Sequence, residues 1–123
     1  MSKVKVLCID DDRDILDILR LILEKHDFEM EEASSAEEGL KKAKAFKPDL
    51  ILCDLMMEEI DAGTNFAKEM KAQGNDVPIF ILSSVGDNLN LSMDYSQIGL
   101  AGVLQKPIDP DKLVSLLRKK LEE

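Results

Sequence analysis

The sequence predicts an α/β fold, a doubly wound sheet of five parallel strands in the order 2-1-3-4-5 covered by five helices. Two observations favour this class. Short apolar segments rich in β-branched residues recur along the 123-residue chain, as expected for strands buried on both faces. Segments with helical spacing of apolar residues lie between them, and this alternation predicts a parallel sheet with helices on both faces. Because crossover connections are right-handed, few strand orders remain, and 2-1-3-4-5 is common at this length.

The first strand and helix lie at the start of the chain. Val4–Ile9 (VKVLCI) is almost continuously apolar and predicts a buried strand. From Asp12 onward, apolar residues recur at helical spacing, and the acids of the first turn interact favourably with the helix dipole. These apolar residues are Ile15, Leu16, Leu19, Ile22 and Leu23. Phe28–Ala33 then predicts the second strand.

A capping pattern begins the second helix. Ser34 and Ser35 each have a glutamate three residues later, so either serine can cap this helix, which ends before Pro48. Asp49–Asp54 predicts the third strand, and Val77–Ser83 predicts the fourth. Between them, a third helix is marked by Phe66, Ala67 and Met70 and ends near Gly74.

The last part of the chain contains one weak element and two clear ones. Residues between Asn88 and Ile98 fit a helix, but they are weak helix formers, so we expect this fourth helix to be short or mobile. Ala101–Gln105 predicts the fifth strand. Asp109 then provides an N-cap, and Pro110 stands at the first position of the last helix.

Composition and charge exclude several classes of protein. The chain carries 25 acids and 16 bases, a net charge of −9, with no basic run for binding nucleic acid directly. No apolar run reaches the ~20 residues of a membrane span, so we expect a cytoplasmic protein that does not enter membranes. Cys8 and Cys53 both lie in apolar segments, which indicates buried thiols rather than a disulfide framework.

Charged and polar side chains follow the predicted strands at their carboxyl ends. They are Asp10, Asp11 and Asp12 after the first strand, Asp54 at the third, Ser83 and Ser84 at the fourth and Lys106 at the fifth. Ligands of open parallel sheets bind at this edge. Clustered carboxylates repel one another unless a cation binds, and Mg²⁺ (or Mn²⁺) prefers such oxygen ligands. Because Lys106 adds a positive charge for a phosphoryl group, the cluster suits phosphoryl transfer to a carboxylate, with Asp54 the best-placed nucleophile.

Four segments together resemble one protein family. VLCIDDDRDIL, PDLILCDLMM, VPIFILSS and LQKPI, in this order and spacing, resemble the receiver domain of two-component response regulators over essentially the whole chain. The resemblance implies a flavodoxin-like fold and a single receiver domain over residues 1–123, with no output domain in this chain.

The resemblance also implies roles for individual residues. Asp10 and Asp11 match the acidic pair, with Asp11 a direct Mg²⁺ ligand, and Asp54 matches the phospho-accepting aspartate, itself a metal ligand. The backbone carbonyl of Met56 would complete the protein ligands of the metal.

Three further positions match the family's motif. Ser83 matches the switch residue whose hydroxyl binds a phosphoryl oxygen, and Ser84 would offer its backbone N–H. Lys106 matches the lysine that contacts the phosphoryl group, and a cis bond to Pro107 is implied.

The family's activity implies partners. A histidine kinase or phosphotransfer protein would phosphorylate Asp54 in a Mg²⁺-dependent reaction, and the chain would be a phospho-acceptor able to assist its own phosphotransfer and dephosphorylation rather than an enzyme. Phosphorylation would switch a face within residues 84–123 that binds a downstream protein. The chain would be a monomer or a phosphorylation-dependent dimer.

The sequence departs from the family at three places. After Asp54 the usual proline is replaced by Glu58, and Gly63 comes one residue late, which indicates a one-residue insertion. Val103 stands where an aromatic residue is common, so Tyr95 is a candidate surrogate in the switch. No lysine or arginine occurs between residues 72 and 105, which indicates a polar and apolar partner-binding face.

Other functions remain open. A pseudo-receiver that binds partners without phosphorylation is the nearest alternative, because of the Glu58-Glu59 loop. An aspartyl-phosphate phosphatase would need a second aspartate where Met56 stands. A flavodoxin-like cofactor carrier is disfavoured because the acidic residues after the first strand would repel the phosphate of a flavin.

Overall fold

The computed structural model describes residues 3–55, 62–84 and 100–122. Strands and helices alternate along these residues except between the last two strands, which are joined by residues that lie outside the description. The elements are β1 (Val4–Ile9), α1 (Arg13–Lys25), β2 (Phe28–Ala33), α2 (Ala36–Phe46), β3 (Leu50–Asp54), α3 (Ala62–Ala72), β4 (Ile79–Ser83), β5 (Leu100–Gln105) and α4 (Pro110–Leu121).

The five strands form one parallel sheet in the order β2-β1-β3-β4-β5, which confirms the predicted topology. The described residues contain four helices rather than the five predicted. The remaining predicted helix, between Asn88 and Ile98, lies outside them, as do Tyr95 and the Glu58-Glu59 loop. None of the described helices is long and apolar enough to cross a membrane.

An apolar core lies on each face of the sheet, because successive residues of a strand point to opposite faces. Val6 and Cys8 of β1 pack in one core with side chains of α1 and α4. Leu7 and Ile9 pack in the other core, together with Cys53 and side chains of α2 and α3. Both cysteines are fully buried and are not joined by a disulfide, as predicted.

Helix α2 approaches β1 closely at a glycine. A Cβ atom at Gly39 would lie 2.5 Å from Ile9 Cδ1 and 3.3 Å from Phe66 Cε2. The missing side chain therefore lets α2 pack directly on the residue that precedes Asp10.

Two strands are shorter than predicted because polar side chains bind the backbone at their starts. Asp49 is not part of β3; its carboxylate accepts a hydrogen bond of 2.9 Å from the backbone N–H of Lys5. Likewise β4 begins at Ile79 rather than Val77, since the N–H of Val77 donates to the side chain of Asn75. In β5, pairing begins one residue earlier than predicted, at Leu100.

The predicted helix caps are present. Ser35 caps α2, its Oγ accepting from the N–H of Glu38, while a carboxylate oxygen of Glu38 accepts from the N–H of Ser34. Both serines thus take part in the cap. Asp109 caps α4 by accepting from the N–H groups of Asp111 and Lys112.

Candidate functional site

Three elements bring acidic and basic side chains together at the carboxyl edge of the sheet. Asp10 follows β1 and Asp54 ends β3, and these two strands are parallel neighbours. Lys106 follows β5 and is anchored by a 2.7 Å hydrogen bond from its N–H to the carbonyl of Ser83. Asp10 is fully buried and Asp54 is 5% exposed, so their charges lie in the protein interior.

The ammonium group of Lys106 bridges the two buried aspartates. Its Nζ lies 2.9 Å from Asp10 Oδ2 and donates a hydrogen bond of 3.2 Å to Asp54 Oδ1. Burial works against the charged lysine, but the two carboxylates outweigh it and raise the pKa of Lys106. The lysine therefore carries its positive charge into the site.

One lysine does not neutralise the carboxylates. Burial first, and then the nearby Asp10 carboxylate, raise the pKa of Asp54 to about 6, although Lys106 acts in the opposite direction. With Asp11 included, the three acids and the lysine carry a net charge of −2 when all are ionised. The site is therefore suited to a further cation.

The carboxylates fit a divalent metal ion. One oxygen each of Asp10, Asp11 and Asp54 lies within 4.8 Å of the others. Asp10 Oδ1 accepts from the N–H of Asp12, whereas Asp10 Oδ2 is buried and accepts no well-formed hydrogen bond from the described residues. Oxygen donors of this kind suit Mg²⁺ and similar hard cations, and the exposure of Asp11 leaves the cluster open on one side.

Asp12, the remaining acid after β1, has a different role. Its side chain accepts a hydrogen bond of 2.9 Å from the N–H of Asp14 and caps α1. It is therefore a helix cap rather than a member of the metal-binding group.

The other predicted site residues are placed as follows. Ser83 is buried at the end of β4, with its hydroxyl 3.5 Å from the carbonyl of Ser84, which is half-buried. The peptide bond between Lys106 and Pro107 is cis, as the resemblance implied. Met56 lies outside the described residues, so its carbonyl as a metal ligand stays a prediction.

A second charged cluster near the site was not predicted. Glu32 of β2 binds two arginines of α1, Arg13 through Oε2 and Arg20 through Oε1. The two arginines are seven residues apart, which places them on the same side of a helix. That spacing, beside an acidic edge strand, was the sequence pattern that could have revealed the cluster.

Large exposed apolar side chains are few in the described part of the chain. Ile18 and Leu21 of α1 are 43% and 74% exposed, and Leu121 of α4 is 40% exposed. Only Leu121 belongs to residues 84–123, and residues 85–99 of the predicted partner-binding face lie outside the described residues. That face stays a prediction.

The acidic cluster, the bridging lysine and the strand order together correspond to one family. The family model described as the response regulator receiver domain matches residues 6–118. The chain belongs to this family. A receiver domain is therefore the module that places Asp10, Asp54 and Lys106 at one edge of the sheet.

Curated relatives of this receiver domain include transcriptional regulators. The alkaline phosphatase synthesis transcriptional regulatory protein PhoP of Bacillus subtilis (strain 168) is 32% identical over 106 residues, covering 86% of this chain and 43% of PhoP. The transcriptional regulatory protein GlrR of Escherichia coli (strain K12) is 33% identical over 118 residues, covering 96% of this chain and 26% of GlrR. The chain thus spans less than half the length of either relative.

Solved receiver structures share the fold over nearly the whole chain. The chemotaxis response regulator CheY4 of Vibrio cholerae superimposes with a TM-score of 0.83 at 28% identity, covering 96% of this chain and 98% of CheY4. A CheY-like response regulator receiver domain protein from Methanospirillum hungatei JF-1 gives a TM-score of 0.85 at 27% identity, with 98% and 95% covered.

Proposed function

We propose that this receiver domain accepts a phosphoryl group on Asp54 from a histidine kinase or phosphotransfer protein, and that the modified domain binds a downstream protein. The placement of the Asp54 carboxylate carries this proposal. It lies buried at the sheet edge, on the Lys106 ammonium and beside Asp10 and Asp11. This placement would suit an acyl phosphate, because the Lys106 ammonium and a cation held by the aspartates would stabilise its negative charge.

Asp54 would act as the nucleophile. One of its carboxylate oxygens forms a bond to phosphorus while the P–N bond of the donor phosphohistidine breaks, and the imidazole leaves with the electron pair. This step needs the ionised carboxylate, whereas burial favours the protonated form. Asp10, Asp11 and Asp54 would hold Mg²⁺ or Mn²⁺, with the carbonyl of Met56 a further ligand. A cation bound there would offset the charge of the carboxylates and would stabilise part of the negative charge of the phosphoryl oxygens.

The remaining residues would bind the transferred group. Lys106 would move its contact from Asp10 to a phosphoryl oxygen and keep a positive charge against it. Ser83 would donate its hydroxyl to a second phosphoryl oxygen, and the backbone N–H of Ser84 would donate to the same group. These contacts would link the chemical state of Asp54 to the ends of β4 and β5.

The consequence of phosphorylation would be a changed protein-binding face within residues 84–123. We propose that the partner is a protein rather than nucleic acid or membrane, that the chain functions as a single receiver domain over residues 1–123, and that it is a monomer or a phosphorylation-dependent dimer. The acidic charge of the chain supports a protein partner, since a nucleic acid would be repelled. The cytoplasmic location stays a prediction.

Intact-mass measurement after incubation with a small acyl phosphate and Mg²⁺ tests the proposal. We expect the native chain to gain one phosphoryl group, and Asp54→Asn and native protein in excess chelator to gain none. Asp49→Asn is the matched control, because Asp49 precedes the same strand at the opposite edge of the sheet and should leave phosphorylation intact. No adduct on the native chain, or an adduct that persists in Asp54→Asn, would overturn the proposal, and the first result would favour the pseudo-receiver.

A further inference from the structure

The carboxylate of Glu32 joins two turns of helix α1 to the edge strand β2. One of its oxygens pairs with the guanidinium of Arg13, and the other lies 2.6 Å from Nη2 of Arg20. The Glu32 side chain is 21% exposed, and the two arginines lower its pKa to about 2. The carboxylate is therefore a charged anchor on the strand beside β1.

The same end of β2 also holds, through its backbone, the acidic loop formed by residues 10–12 between β1 and α1. The N–H of Asp10 donates a 3.0 Å hydrogen bond to the carbonyl of Ala33, the residue after Glu32. The loop begins at Asp10, directly after β1, and is followed by Arg13, the first residue of α1. The loop is thus attached to β2 at both ends, by a backbone hydrogen bond and by an ion pair.

Asp11 lies between these two attachments. It is exposed, and no hydrogen bond or ion pair of its side chain is formed within the described part of the chain. Its neighbours are fixed, since the N–H of Asp12 donates to Asp10 Oδ1 and Asp12 caps the helix. The position of the Asp11 carboxylate therefore depends on the two ends of the loop.

We propose that the Arg13–Glu32 ion pair is a positioning contact for the acidic loop, and that it sets where Asp11 presents its carboxylate to Mg²⁺. The inference rests on the proposed function, because it takes Asp10, Asp11 and Asp54 as the metal ligands. Residues that orient metal ligands commonly change metal affinity when they are replaced, although they never touch the ion.

Arg20 provides the matched comparison. It binds the same carboxylate, but it lies seven residues further along α1, away from the acidic loop. Arg13→Gln and Arg20→Gln each remove one positive charge and one ion-pair partner of Glu32, and each also removes one ion pair within α1, with Asp17 and with Glu24 respectively. Only Arg13→Gln removes the ion pair that joins the end of the loop to β2.

The sign of the effect separates positioning from electrostatics. Removing a positive charge near a cation site by itself tightens cation binding. A positioning role predicts the reverse for Arg13→Gln, a weakening of about 3- to 10-fold, which lies at or below the lower end of the range for residues that orient metal ligands. Arg20→Gln should bind Mg²⁺ as tightly as the native chain or slightly more tightly.

Calorimetric titration of each full-length variant with Mg²⁺ alone measures these affinities, and thermal unfolding in chelator shows that each variant is folded. In a Glu32→Gln background, where the ion pair is already lost, Arg13→Gln should cause no further weakening. Unchanged or tighter binding by Arg13→Gln, or equal weakening by both arginine variants, would overturn the inference, as would a native chain that binds no Mg²⁺. A chain that shows the expected affinities yet accepts no phosphoryl group would overturn the proposed function alone.

Discussion

The carboxylates of Asp54 and Glu32 each contact a cation, but they differ in their surroundings and in the direction in which their pKa is shifted. Asp54 is buried with Lys106 but also faces Asp10, and its pKa rises to about 6. Glu32 lies at the partly exposed surface between α1 and β2 with two arginines, and its pKa falls to about 2. Three carboxylates that share one lysine leave negative charge for a ligand to neutralise, whereas a carboxylate with a guanidinium on each oxygen is already paired and stabilises the fold.

Removing Lys106, the one cation that pairs with the buried aspartates within the described residues, should have the largest effect. In chelator, Lys106→Met should lower the free energy of unfolding by about 3 kcal/mol, because it leaves buried carboxylates without their partner. Lys112→Met is the control, since Lys112 is exposed on the next helix and has the same charge. Denaturant unfolding measures both variants, and equal stability of the two would show that the bridge does not stabilise the metal-free protein.

Replacing the buried acid by its amide should stabilise the protein. Burial disfavours the charge of Asp54, so Asp54→Asn should raise the free energy of unfolding in chelator at pH 7 by about 2 kcal/mol. The same denaturant measurement tests this, with Asp49→Asn as control. A loss of stability in Asp54→Asn would mean that the contact with Lys106 outweighs the cost of burying the charge.

The same change of acid to amide on the surface should destabilise the protein. Glu32→Gln should lower the free energy of unfolding at pH 7 by about 1 kcal/mol, a modest value because water partly screens the two ion pairs. Lys41→Ala removes a fully solvated ion pair of α2 and should change stability by less than about 0.5 kcal/mol. Equal effects of the two substitutions would show that Glu32 is an ordinary surface residue.

The contribution of Glu32 should depend on pH in one direction. Arg13 and Arg20 lower the pKa of Glu32 from about 4.5 to about 2. Other charged groups nearby are Glu31 of β2 and Lys42 of α2; Lys42 pairs with the Glu31 carboxylate and donates to the backbone carbonyl of Glu32. A lowered pKa means that the stabilisation is complete above about pH 5 and is lost as the pH falls toward 2. The stability difference between native and Glu32→Gln protein should shrink over that range and stay constant from pH 6 to 8.

The sequence predicted the sheet better than the ends of its strands. Val4–Ile9 and Phe28–Ala33 match the predictions because apolar residues there give way directly to turn or cap residues. Asp49 and Val77 were wrongly included in strands. The carboxylate of Asp49 accepts from the N–H of Lys5, and the N–H of Val77 donates to the side chain of Asn75. A pattern of apolar residues does not show such hydrogen bonds.

The site was predictable in its members but not in its contacts. Parallel strands place their carboxyl ends together, so the convergence of Asp10, Asp54 and Lys106 followed from the order of the elements and is confirmed. Their roles in phosphorylation stay predictions. Arg13 and Arg20 bind Glu32 because α1 packs against β2. The helical spacing of the two arginines shows that they share a side of α1, but it does not show which strand that side faces.

The two cysteines belong to different cores, Cys8 to the one covered by α1 and α4, and Cys53 to the one covered by α2 and α3. Burial raises the pKa of the Cys8 thiol, and a protonated, enclosed thiol reacts slowly with alkylating reagents. Each native thiol therefore reports the opening of one side of the sheet, without any introduced label. Their separate alkylation rates would show whether the halves of this molecule open together or one before the other.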